Sequence, residues 1–401
     1  MYKLPWPGRS VDYTREDRKA VLAAMEADPQ TQGVYLKEFE RVFSAYHGGR
    51  HSFAVSSGAA ALEIAAMLLE LKPDDEVIIP AHTYCATAIP FARRGVKIVW
   101  ADIDPHMRVV TADTIRPLTT DKTKAIIVVH LYGVNAPVNC INAIVDERRL
   151  YQNILVIEDC AQSLGATYEY KPEWLATHTT RGGPKIRTFT SWGRSGTHGD
   201  ISIYSFHGQK NITTLGEGGM ITVRDEDLAK FIPGLRHNGH RLTGDKKLVC
   251  FDLDGGYPYN FSIGEVQCAV GISQMKRLDS MNADRYNKAR MIVDGLSDIE
   301  DLVFQKIPRG STHTYHCLCA RYPKRDKLID ILGKQYGIQC VIQFNPLYNY
   351  PLFAAYQDHD CPNTDKFHRE ALSFPFAGWY TEDQINYLRD SIRKAVYEAQ
   401  Q

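Results

Sequence analysis

Between residues 56 and 223, short apolar runs alternate with stretches whose apolar positions recur at helical spacing. The runs are Glu76 to Pro80 (EVIIP), Val96 to Ala101 (VKIVWA), Ala125 to His130 (AIIVVH), Ile154 to Glu158 (ILVIE) and Ile201 to Ser205 (ISIYS). Each has strand length and is mostly apolar, as expected of strands in a parallel sheet covered by helices. The intervening stretches, among them Ala59 to Leu71, Ala86 to Arg94 and Val138 to Tyr151, read as helices. The rhythm predicts an α/β fold with a mostly parallel sheet between helical layers, and functional groups gathered where strands lead into helices. Residues 169–199 break the pattern with text rich in Pro, Gly, Thr and Arg, so a long surface loop inserted into the first domain is expected there. From Gly264 the pattern turns to amphipathic helix, then shorter strands and a closing helix from Thr381 to Ala399. The expected division is a large domain over 1–262 and a smaller α+β domain over 263–401.

Composition narrows the function classes. The 401 residues are 44% hydrophobic, enough for two full cores, and 47 Lys plus Arg balance 47 Asp plus Glu. A nucleic-acid or membrane footprint is therefore not expected, and a small-molecule partner is. The nine cysteines show no CxxC spacing, which predicts unbridged thiols in a reducing compartment. The opening MYKLPWPGRS lacks the apolar core of a signal peptide, and no stretch approaches the roughly 18 apolar residues of a membrane span. The expectation is a soluble, cytoplasmic protein.

Four segments carry candidate chemistry. In SFHGQKNITTLGEGG, Ser205 to Gly219, Lys210 follows a buried strand, where lost solvation would lower its pKa and make it an amine nucleophile toward an aldehyde. The alternative is a solvated loop lysine beside a glycine turn. In VIEDCAQSLGA, Val156 to Ala166, Asp159 ends a strand and could pair with a protonated pyridine nitrogen, with Gln162 meeting that ring's phenolic oxygen; the alternative is an Asp capping the next helix. In VSSGAAALEIA, Val55 to Ala65, the backbone of Ser57, Gly58, Ala59 and Ala60 forms a helix start suited to a phosphate, or merely a small-residue helix start. In PAHTYCATA, Tyr84 could lay its ring on a flat heterocycle or belong to the core.

In their order along nearly the whole chain, these segments resemble the DegT/DnrJ family of sugar aminotransferases, which use pyridoxal 5'-phosphate on the three-layer fold-type I scaffold. The resemblance extends to DEVIIPAHTY, to the HLYG of His130 to Gly133, to Gly199 and Asp200, and to the LSFP of Leu372 to Pro375. It implies that Lys210 bonds the cofactor aldehyde and shuttles protons, and that Asp159 partners the ring nitrogen. It further implies that Gln162 meets the ring oxygen, that Ser205 with Gly58, Ala59 and Ala60 binds the phosphate, and that Tyr84 stacks on the ring. Asn260 resembles an asparagine that reaches the cofactor phosphate of a neighbouring subunit, which implies a homodimer with shared sites. No metal is implied. The implied reaction carries an amino group from glutamate or glutamine to a keto-sugar, nucleotide-linked or not, or to a cyclitol ketone, in two half-reactions of amino-sugar biosynthesis.

The sequence departs from the family pattern on the substrate side. The usual NYR reads Asn260-Phe261-Ser262, a phosphate-loop threonine is Ala59, KNITTLGEGG carries one extra residue, and HYxPLH reads Gln343-Phe344-Asn345-Pro346-Leu347-Tyr348. In the 169–199 segment, Arg181, Lys185, Arg187 and Arg194 suggest either a clamp on a substrate phosphate or a solvated basic loop. A sugar dehydratase on the same scaffold is an alternative that lysine at position 210 disfavours, and a non-catalytic cofactor-binding regulator would need a further module.

Overall fold

The five apolar runs become five adjacent parallel strands. The computed structural model describes residues 2–148, 151–169, 192–242, 248–250 and 258–401. The strands are β1 (His51–Val55), β2 (Glu76–Pro80), β3 (Lys97–Ala101), β4 (Thr123–Val129), β5 (Leu155–Asp159), β6 (Thr167–Glu169), β7 (Trp192–Arg194), β8 (Ile201–Ser205) and β9 (Gly219–Val223). Seven of them form one sheet in the order β1-β9-β8-β5-β4-β2-β3. From β8 to β3 all pairing is parallel, and β9 runs antiparallel to both β8 and β1. Every residue of β2 and β9 is buried, which accounts for apolar text without alternation. The sequence reading missed β1, a strand with exposed and half-buried positions at the sheet's edge.

The first three helices are α1 (Arg15–Met25), α2 (Val34–Tyr46) and α3 (Gly58–Met67). Ser57 caps α3 by accepting the Ala60 N–H, and the helix is buried on nearly all sides, so its apolar text carries almost no amphipathic signal. Its one buried charge, Glu63, is paired by Arg93 and Arg94. The start of α2 is capped from a distance, for the buried carboxylate of Glu265 accepts the N–H groups of Gly33, Tyr35 and Leu36.

A second core gathers residues 289–399 around the strands Leu318–Arg321 and Ala371–Phe374 and the helix Glu382–Gln400, and it includes Leu4, whose backbone bridges to Ile338. The last strand of the seven-stranded sheet ends at Val223, and the helix Glu265–Met275, which follows the expected junction at 262/263, packs with α1 and α2. The eight cysteines whose side chains are described are unbridged, and no described helix is long and apolar enough to cross a membrane.

Most of the expected 169–199 loop, with Arg181, Lys185 and Arg187, lies outside the described residues. Its last part corrects the surface-loop expectation. Trp192–Arg194 pairs with Thr167–Glu169, and Ser195 and His198 are buried. The reason is the buried Glu158 carboxylate, which accepts the N–H groups of Gly196, His198 and Gly199 and so folds this segment over itself. Arg194 turns away from a clamp role: its guanidinium lies 4.0 Å from the Tyr46 ring centroid and pairs with Asp279.

Candidate active site

A cleft of about 550 Å³ opens at the carboxyl ends of β2, β4, β5 and β8 and at the start of α3. Its lining includes Ser57, Gly58, Ala59, Tyr84, Asp159, Gln162, Ser205 and Lys210, so most of the candidates from four distant segments meet in one place. Sheet order explains this, because β8, β5, β4 and β2 are consecutive neighbours pointing the same way. The register row Val55, Gly219 and Ser205 then sets the α3 start beside Ser205. The approach is close: a Cβ on Gly58 would lie 2.9 Å from the Ser205 Cβ, and one on Gly219 would lie 2.3 Å from the Ser57 carbonyl oxygen.

Lys210 sits in the 206–218 connection between β8 and β9, its backbone N–H donating to His207 O. Burial lowers its pKa, against the opposing pull of Cys317 and Asp159. Asp159 is buried and accepts one hydrogen bond at each oxygen, Oδ2 from Thr87 Oγ1 at 2.9 Å and Oδ1 from the Ala161 N–H at 3.1 Å. Burial raises its pKa against those hydrogen bonds and Lys210. Turns rather than a helix follow β5, so Asp159 caps no helix there.

Gln162 Oε1 accepts the Tyr132 N–H at 2.6 Å, and since a backbone amide can only donate, the Gln162 amide hydrogens are left for another partner. Tyr84 is 56% exposed at the mouth of the cleft, its ring 5.8 Å from that of Phe344. Two candidates stand apart from this lining. The Ala60 N–H is already taken by Ser57 Oγ, leaving Gly58 and Ala59 as the free N–H groups at the α3 start. Asn260 is exposed and accepts the Ser262 N–H, outside the cleft of its own chain.

Sequence reasoning missed Tyr132, His82, Thr87, His316 and Cys317. Tyr132 has φ of 63°, a left-handed conformation uncommon for a side chain this large, and it is fully buried. Its hydroxyl donates to Gln343 O and receives the His82 Nε2 hydrogen at 2.7 Å. Burial lowers the pKa of His82 to about 3, which keeps it neutral. The signal in the sequence was the HLYG motif, whose Gly133 has φ of 112° and no room for a Cβ beside Thr314. Among the departures, Leu215 is the extra residue of the lysine loop, in left-handed conformation at φ 63° beside Gly216. Of the altered 343–348 stretch, Gln343 and Phe344 line the cleft, whereas Tyr348 is buried, bonded to Asp365 and stacked on His359.

Residues 11–393 match the model of the DegT/DnrJ/EryC1/StrS aminotransferase family. The chain belongs to this family. Similar proteins include a pleiotropic regulatory protein of Geobacillus stearothermophilus, 32% identical over 90% of this chain and 89% of that protein. Another is a GDP-perosamine synthase of Caulobacter vibrioides, 30% identical over 92% of each chain. Among solved structures, an aminotransferase from Psychrobacter cryohalolentis superposes with a TM-score of 0.83 at 25% identity over the full length of both chains. TlmJ from Streptoalloteichus hindustanus gives 0.85 at 22%, covering 99% of this chain and 100% of that one.

This aminotransferase depends on pyridoxal 5'-phosphate, and its cleft fits that cofactor. A buried carboxylate suits a protonated ring nitrogen, a desolvated lysine suits an aldehyde, and a hydroxyl beside free helix N–H groups suits a phosphate. His316, which also lines the cleft, has an Nδ1 with no partner among the described residues.

Proposed function

We propose that the aminotransferase moves an amino group from glutamate or glutamine to the carbonyl of a keto-sugar, nucleotide-linked in the first instance, or of a related cyclic ketone. The observation that carries the reading is the facing of Lys210 and Asp159 across one cleft, each with its pKa moved by burial. When bound, the cofactor supplies an electron sink that makes the carbon bearing the amino group acidic.

The chain's own residues do the rest. The Lys210 amine, its pKa lowered by desolvation, would take the proton from that carbon and return it on the far side of the intervening nitrogen, two atoms away. The Asp159 carboxylate, held still by Thr87 and the Ala161 N–H, keeps a proton on the ring nitrogen. Gln162 donates to the ring oxygen, Ser205 and the Gly58 and Ala59 N–H groups bind the phosphate, and Tyr84 covers the ring at the mouth. In the second half-reaction Lys210 runs the same proton transfers in reverse. Asn260, exposed and turned from its own cleft, completes the phosphate site of a second copy in a cytoplasmic homodimer.

Support for a sugar acceptor comes from relatives named for such reactions. They include GDP-perosamine synthase and, at 27% identity over 90% of this chain, the 3-oxo-glucose-6-phosphate:glutamate aminotransferase of Bacillus subtilis. Lysine at position 210 argues against the dehydratase alternative. The test is spectroscopic. The purified holoenzyme is expected to show a visible band that glutamate or glutamine bleaches and that a keto-sugar then restores. A band that no amino donor alters overturns the reading.

A further inference from the structure

Three glutamines line the cleft: Gln209 donates its amide to the Pro7 carbonyl, and the protein takes the carbonyl oxygen of the other two. Gln162 Oε1 accepts the Tyr132 N–H, and Gln343 Oε1 accepts the Cys317 thiol at 3.4 Å. Burial pushes the Cys317 thiol up to about 12, so it keeps the proton it donates. Gln343 is fixed at its backbone as well, since its carbonyl accepts the Tyr132 hydroxyl, which His82 in turn orients. What remains of Gln343 is an amide N–H2 at the cleft wall, with no acceptor for it among the described residues.

The described lining holds no arginine, and besides Lys210 its ionisable nitrogens belong to His207 and His316, the latter held neutral by burial. Yet a two-stage aminotransferase must seat two unlike molecules in turn: an anionic amino acid, then a ring ketone bearing hydroxyls. A guanidinium matched to the first would be left desolvated and unpaired against the second. A neutral amide donor meets both, because a carboxylate oxygen and a hydroxyl oxygen each accept its hydrogens.

We propose that Gln343 is the specificity-determining donor of this cleft, its Nε2 hydrogens binding a carboxylate oxygen of the amino donor in the first half-reaction and a hydroxyl oxygen of the keto-sugar in the second. The inference rests on the aminotransferase reading above.

The test uses the purified holoenzyme and glutarate, a dicarboxylate that carries no amino group and cannot react, titrated against the visible band. Gln343→Leu is expected to weaken glutarate binding about tenfold, the effect of losing a hydrogen bond to a charged group. Gln343→Glu is expected to weaken it further, because a carboxylate then faces a carboxylate. Gln343→His, which keeps a neutral N–H donor, should stay within a few-fold of the parent. The pH midpoint of the resting band should not move in any of the three, marking an undisturbed cofactor site. Binding unchanged in Gln343→Leu and Gln343→Glu, equal losses in the two, or losses accompanied by a moved band midpoint would each overturn the proposal. Failure of the aminotransferase reading itself looks different: the parent's band then ignores glutamate.

Discussion

Lys210 and Glu158, which belong to the neighbouring strands β8 and β5 and the turns that follow them, show two different outcomes of burying a charge. Burial holds Lys210 below its ordinary range, so between the folded and unfolded pKa values the unfolded chain binds more protons, and stability rises with pH across that window. Below the window the full cost of the buried ammonium remains. Cofactor-free Lys210→Met should therefore melt above the parent at pH 7, with no transaminase activity, and the gap should narrow as pH nears about 10.4, the unfolded lysine value. A melting series in pH reads this directly, and a gap that widens with pH contradicts it. Burial alone would raise Glu158, but the His130 hydrogen bond, with help from His198 and the Gly199 N–H, overcomes it and brings the pKa from 4.5 to about 2. Its stabilisation is complete above pH 4.5 and is lost as pH falls toward 2. On the order of 3 kcal/mol is involved, and Glu158→Gln should flatten the acid limb of an unfolding profile. At this scale the sequence was informative where chemistry is local. Asp159 and Lys210 could be singled out because each ends or follows an apolar strand. Tyr132, His82 and Cys317 could not, because their roles depend on contacts across the fold with Gln162 and Gln343.

The elements that make the phosphate site are α3, β8 and β9, and glycines set how closely they approach. An alanine at Gly58 would press its methyl onto the Ser205 side chain, whereas one at Gly219 would meet the backbone oxygen of Ser57. A side chain can turn aside more readily than a backbone. Gly58→Ala is thus expected to weaken cofactor retention about tenfold with a small loss of Tm, and Gly219→Ala to cost on the order of 2 kcal/mol or more as well. Absorbance titration of the cofactor and thermal melts separate the two effects. The parallel strands were legible as elements because strands buried on both faces write continuous apolar runs. β1 was not, having exposed positions at the sheet's edge, and the 192–199 segment was misread because its backbone N–H groups serve the buried Glu158 rather than solvent.

For the whole molecule, the exposed Asn260 carries the expectation of shared sites. Lys210→Ala and Asn260→Ala, each made separately, should be inactive and weak respectively. Exchanged into mixed dimers, the Asn260→Ala chain supplies an intact lysine and the Lys210→Ala chain supplies the intact asparagine. About a quarter of all sites then regain both groups. Activity rising above the mean of the two variants on mixing is the expected result, and strict averaging would count against a shared site.

The connection that carries Lys210 is stapled at its base and along its length. Ser205 pairs with Gly219, the Phe206 N–H bonds Gly218 O, and the Gly208 N–H bonds Gly216 O. Thr213 is tied to Gln274, and Asn211 to the Thr314 carbonyl. So braced, the main chain under the lysine behaves as an anvil: over a catalytic cycle movement would belong to the lysine side chain and the bound molecules rather than to the loop. Amide hydrogen exchange should find Phe206 and Gly208 among the slow positions with or without the amino donor present, with the movement appearing instead in the cofactor's own spectrum.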